Sequence, residues 1–180
     1  MTSPFKKIVC LLMVCAASVI APTPLYAVEI DPPFKLSWGE APMRLERLLS
    51  GAGAKIVSKR AVEDGMEAWD VEGVVQEGLK KTIFYFRAAT LVGVELQYRS
   101  DGWSQEKYDD FMGRWRRTIE QRYGQGQLIA RKTEPKGDVT QTVVGYKWNH
   151  NNTALELIFF SAQSPSGQIF RTLSVHYKGR

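Results

Sequence analysis

The stretch Trp103–Gly126, WSQEKYDDFMGRWRRTIEQRYGQG, restricts the possible folds of this chain more than any other. Tyr108, Phe111, Met112, Trp115, Ile119 and Tyr123 recur every three or four residues, which on a helix aligns them in one apolar stripe. Asp109, Asp110, Arg114, Arg116, Arg117, Glu120 and Arg122 fall mostly on the other side. Ser104 is placed to cap the helix, with Glu106 at the positive end of its dipole. Trp103 before the cap and Tyr108 match a hydrophobic staple. Gly124 offers a left-handed terminating residue. Gly113 costs about 1 kcal/mol relative to Ala inside a helix, which points to close packing there. The arginines read as a solvated helix face, with an anionic partner as the alternative.

Strand patterns flank this helix on both sides. Before it, Pro42 suits the first turn of a shorter helix with a stripe of Leu45, Leu48, Leu49 and Ala52, stopped by Gly51 or Gly53. Strands are predicted over 54–59, 67–75 and 81–87. A fourth alternates Val92, Val94, Leu96 and Tyr98 with Gly93, Glu95, Gln97 and Arg99. After the helix, strands are predicted over 127–132, 139–148, 153–161 and 169–178. The last of these has Leu173, Val175 and Tyr177 on one face and Ser174 and His176 on the other.

The two flanks resemble each other. Gly51-Ala52-Gly53 and Gly124-Gln125-Gly126 close the helices. Ile56–Arg60 parallels Leu128–Lys132, and Gly65 and Gly73 parallel Gly137 and Gly145. Val94–Arg99 parallels Leu173–Lys178. The predicted fold is therefore α+β: two tandem helix-plus-four-antiparallel-strand units, about 37–99 and 103–178, with the helices packed on one face of an antiparallel sheet. The other face would be partly open to solvent and carry Glu95, Gln97, Arg99, Ser174 and His176 as binding residues.

Residues 1–27 read as a cleaved signal peptide. Lys6 and Lys7 precede an apolar run over 8–20 that is too short to span a bilayer, and Leu25-Tyr26-Ala27 ends in a small residue. A lipoprotein reading through Cys15 meets an unsuitably large Val14. Residues 28–180 would form one domain in the periplasm or secreted. Both cysteines, Cys10 and Cys15, lie in the leader, so the mature domain would fold without disulfides. Removing Lys6 and Lys7 from the 24 basic residues leaves 22 against 19 acidic, net +3. That charge, with no basic block interleaved with aromatics, argues against a nucleic-acid partner. No later apolar run reaches membrane length.

The layout resembles the beta-lactamase inhibitory protein architecture, in which a concave sheet clamps another protein. That family staples its repeats with disulfides, so no inhibitory residue carries over. Phe34-Lys35-Leu36-Ser37-Trp38-Gly39, Arg122-Tyr123-Gly124, Trp148 and Thr153–Leu157 are similar to a pattern in small exported bacterial proteins of unknown function.

Catalytic and metal signatures are sparse. Neither His150 nor His176 has a partner at metal-ligand spacing, and no cofactor motif occurs. The carboxylates Glu63, Asp64, Glu67, Asp70 and Glu72 lack calcium-loop spacing and read as a solvated strand edge. Ser164-Pro165-Ser166-Gly167 reads as a turn. Ser174 and His176 share a strand face about 7 Å apart by strand rise, too far for a direct nucleophile–base bond. The resulting expectation is a non-catalytic module that binds a protein or other envelope component on the open sheet face. The alternatives are a small hydrolase with a site assembled from distant residues, or a carrier of an apolar ligand between helix and sheet.

Overall fold

The computed structural model describes residues 29–179; residues 1–27, expected to be a cleaved signal peptide, and Cys10 and Cys15 within them lie outside the described residues. Helix α1 (Pro42–Ala52) leads into β1 (Lys55–Val62), a 3-10 turn (Glu63–Gly65), β2 (Met66–Glu72), β3 (Leu79–Arg87) and β4 (Thr90–Tyr98). Helix α2 (Gln105–Tyr123) follows, then β5 (Gln127–Lys136), β6 (Val139–His150), β7 (Thr153–Gln163) and β8 (Ile169–Lys178). All eight strands form one antiparallel sheet in the order β1-β2-β3-β4-β8-β7-β6-β5.

This corrects the expected pair of helix-plus-four-strand units with both helices packed on one face of a sheet. The molecule is mostly strand, with two helices among the described residues, and its strands are not divided into two bodies. β4 and β8 pair continuously from Gly93 opposite Lys178 to Tyr98 opposite Leu173. An unpaired strand edge would leave a row of backbone donors and acceptors open to misassociation, and fusion at this seam removes two such edges. The halves also differ in build. α2 has 19 residues and α1 has 11. β5–β8 run to 10–12 residues each, whereas β1–β4 run to 7–9. A single core joins them.

α2 covers one face of the sheet over β7 and the seam. Ser104 caps it by accepting the Lys107 N–H at 3.3 Å, and Trp103 meets Tyr108 ring to ring at 5.2 Å. Tyr108, Phe111 and Ile119 are buried, and Phe111 and Trp115 both pack on Tyr98. Beneath them lie Phe84, Val94, Leu96, Leu155, Leu157, Leu173 and Val175, all nearly inaccessible. Two details differ from the sequence reading. Gly124 has φ 78° but ψ −171°, so the chain leaves the helix extended rather than through a left-handed turn. Gly113 is not held by close packing, since a Cβ there would meet only the Arg117 guanidinium, at 3.4 Å.

The segment ahead of α1 is part of the core. Ile30 is fully buried. Its N–H donates to Thr153 Oγ1 at 3.1 Å, and its carbonyl accepts from Trp38 Nε1 at 2.7 Å. Gly39 donates to the Leu91 carbonyl, and Leu91 donates to that of Glu40, both at 2.9 Å. α1 buries only Leu45 and Leu49 and sits near the β1 margin, where Lys59 reaches Glu46 at 3.1 Å.

Candidate functional site

The alternation that sends Leu96 and Tyr98 under α2 sends Glu95, Gln97 and Arg99 to the opposite face. Register then builds one row of side chains through every strand of that face. Ser58, Asp70, Ile83, Glu95, His176, Glu156, Lys147 and Gln127 are successive cross-strand partners from β1 to β5. Directly opposed Cβ atoms lie about 4.5–5.5 Å apart, so neighbouring polar side chains along the row can reach one another.

Three clusters form along the row. Asp70, only 8% exposed, is held by Arg60 at 3.4 Å and Lys81 at 3.2 Å; it is an internal ion-pair centre rather than part of a solvated edge. Glu95 accepts from the Tyr85 hydroxyl at 2.9 Å and the Gln97 amide at 2.6 Å. Glu156 accepts from Lys178 at 2.7 Å and lies 3.3 Å from Lys147. Burial alone would raise the Glu156 pKa, but the two lysines outweigh it and hold the carboxyl below its usual range. Burial, reinforced by the charge of Glu95, pushes the Tyr85 phenol up.

His176 joins the second and third clusters. Its Nε2 is 2.9 Å from Ser174 Oγ and 3.7 Å from Glu95 Oε1. A true ion pair would raise its pKa, yet burial dominates and lowers it, with Lys178 adding to the effect against Glu95 and Glu156. The imidazole is therefore neutral at pH 7. The expected 7 Å gap between Ser174 and His176 is wrong for the side chains, which lean together along the strand.

That contact does not make a Ser-His-carboxylate relay. In such a relay the serine binds one ring nitrogen and the carboxylate orients the ring through the other. Here one nitrogen faces both groups, and both Glu95 oxygens already accept bonds. Ser174 is itself largely buried, which narrows the approach of a substrate carbonyl to its Oγ.

The face thus gathers Glu95, Gln97, Ser174 and His176. Arg99 stands apart near its margin, with its guanidinium 4.7 Å over the Phe170 ring and 3.5 Å from Asp101. Tyr85, Glu156, Lys147 and Lys178 belong to the same face and escaped sequence reasoning. Their own alternation on β3, β7, β6 and β8 carried the signal, but only the register places them beside His176.

Between β3, β4 and β8 the face holds a hollow of about 370 Å³, lined among others by Met66, Tyr85, Glu95, His176 and Lys178. Gly93 lies in its lining opposite Tyr85 and Lys178, and a Cβ there would meet the Tyr85 side chain at 3.3 Å. His150 is no free loop residue; its Nε2 lies 3.0 Å from the Tyr123 carbonyl. Among the described residues no group of three or more His, Cys, Asp or Glu converges as metal ligands. No helix there is long and apolar enough to cross a membrane.

Compared with known proteins, the chain matches no family model, no curated sequence and no solved structure. The resemblance to the beta-lactamase inhibitory protein architecture rests on the sequence pattern alone.

Proposed function

We propose that this protein is an exported, non-catalytic binding module that holds a protein or other envelope component on the polar face of its sheet. The observation that supports this most is the row of mostly polar side chains crossing all eight strands, with charges at Asp70, Glu95, Glu156 and Lys147 and a hollow beside its centre. Its groups are anchored by one another, so little side-chain entropy is lost when a partner docks. Tyr85, Glu95, His176 and Lys178 offer donors and acceptors around an opening whose size falls within the range of ligand pockets. Export is supported by the leader-like sequence of residues 1–27.

The test is retention of an envelope component by the purified protein, compared with Glu95→Gln, Arg99→Ala and His176→Gln. Loss of a specific partner in the Glu95 and His176 variants, with unchanged melting, is the expected result. No partner, or equal retention by all variants, would remove the proposal.

A hydrolase is the second reading, favoured only by the 2.9 Å Ser174–His176 contact. A fluorophosphonate probe distinguishes the two. Covalent labelling of Ser174 would favour hydrolysis, and an unlabelled Ser174 favours binding.

A further inference from the structure

On the opposite face, α2 and strands β5–β7 leave a groove of about 470 Å³. Its chemistry is unlike that of the polar row. Met112, Val144 and Phe159 give it apolar walls, and Tyr146, Arg116 and Arg131 form its polar end. Tyr146 Oη accepts from Arg116 Nη1 at 3.1 Å and from Arg131 Nη2 at 3.2 Å. A phenol oxygen has two acceptor sites and one O–H to donate. With two guanidinium groups donating to this oxygen, its O–H remains available to donate to a ligand.

The charges here are unevenly matched. Arg116 pairs with Glu120 through Nε at 2.9 Å, and its guanidinium lies 4.7 Å over the Tyr146 ring, which fixes it in place. Among the described residues Arg131 meets the Tyr146 hydroxyl and forms no ion pair. At the far end Asp109 is held by the Gln105 amide at 3.0 Å. Two guanidinium groups and a phenolic O–H therefore present donors at one point, beside an apolar wall. Guanidinium N–H groups match the planar fork of a carboxylate.

We propose that this groove binds a small amphipathic carboxylate, its head on Arg131, Arg116 and the Tyr146 hydroxyl and its apolar body along Met112, Val144 and Phe159. The inference is independent of the polar-face reading, because no residue is shared between the two sites. It also gives Arg116 a role other than that of a solvated helix residue.

The test is calorimetric titration with octanoate as probe, against octan-1-ol, which lacks the charge, and acetate and inorganic phosphate, which lack the apolar body. Octanoate is expected to bind at least tenfold tighter than each of the three. Arg131→Gln, on an exposed edge strand, is expected to weaken octanoate at least tenfold. Gly113→Leu is the second variant. A Cβ at this position would meet only the Arg117 guanidinium, at 3.4 Å; the position lines the groove, so a leucine there would obstruct it without removing any donor. It should abolish binding while keeping the circular dichroism and melting of the folded protein. Absence of octanoate binding, binding no tighter than octan-1-ol, or wild-type affinity in both variants would overturn the proposal.

Discussion

The two faces of the sheet solve opposite physical problems with the same strands. Under α2, Phe84, Leu96, Leu157 and Val175 are sealed from water, and their stability comes from apolar burial and close packing. On the other face, Asp70, Glu95, Glu156 and His176 are also largely withdrawn from solvent, yet they are polar. Each carboxylate there survives because it faces named donors. The lesson is that a face without a helix is not simply a wet face. Long lysine and arginine stems lie over it and supply both cover and counter-charge.

Substitutions on the two faces should separate these mechanisms by size. Phe84→Ala, in the apolar layer, is expected to cost about 3–5 kcal/mol in denaturant unfolding. Glu156→Ala leaves Lys147 and Lys178 without their shared carboxylate. Removing one member of a buried pair costs up to about 3–5 kcal/mol, but these lysines are 32% and 52% exposed and can turn to water. A loss of about 1–3 kcal/mol is therefore expected. If Glu156→Ala cost as much as Phe84→Ala, the polar face would be a second core rather than a covered surface.

Mild acidity probes the polar face through His176. The folded His176 pKa is lowered by burial, so the unfolded chain takes up a proton first as pH falls. Stability should be full above the ordinary histidine value near 6.5 and decline as pH drops below it. Glu156, whose folded pKa is depressed, adds a further loss as pH falls below the ordinary carboxylate range. Melting temperature measured from pH 7.5 to 5.5 should fall for the wild type and flatten in His176→Gln. The smallest effect is expected at a fully surface pair: Lys132→Ala, which breaks the 2.7 Å contact with Glu134 on edge strand β5, should change stability by less than about 0.5 kcal/mol.

Local rules made much of this legible. The stripe from Tyr108 to Tyr123, the Ser104 cap and the Trp103–Tyr108 staple all follow from spacing within a few residues. Period-two alternation placed Glu95, Gln97, Ser174 and His176 on one face. What alternation could not supply was the seam. Similar segments, Val94–Arg99 and Leu173–Lys178, suggested separate units, whereas they pair with each other and make one sheet. Pairing depends on which edges are exposed in three dimensions, and no residue spacing encodes that directly. The burial of the lead-in segment was not legible, because Pro32 and Pro33 exclude regular structure there and Ile30, Leu36 and Trp38 follow no helical or strand period. The meeting of Arg116 and Arg131 on Tyr146 joins three elements and was not readable from any one of them. The Ser174–His176 contact was missed because strand rise measures backbone spacing and ignores side-chain lean.

Native-state hydrogen exchange at the β4–β8 seam tests the one-sheet architecture most directly. The inward-bonded amides along Val94–Tyr98 and Leu173–Tyr177 should exchange only through global unfolding, with the same free energy as the most protected amides of β3 and β7. If the seam amides opened at a lower free energy while β1–β3 and β5–β7 stayed protected, the two halves would not belong to one cooperative sheet.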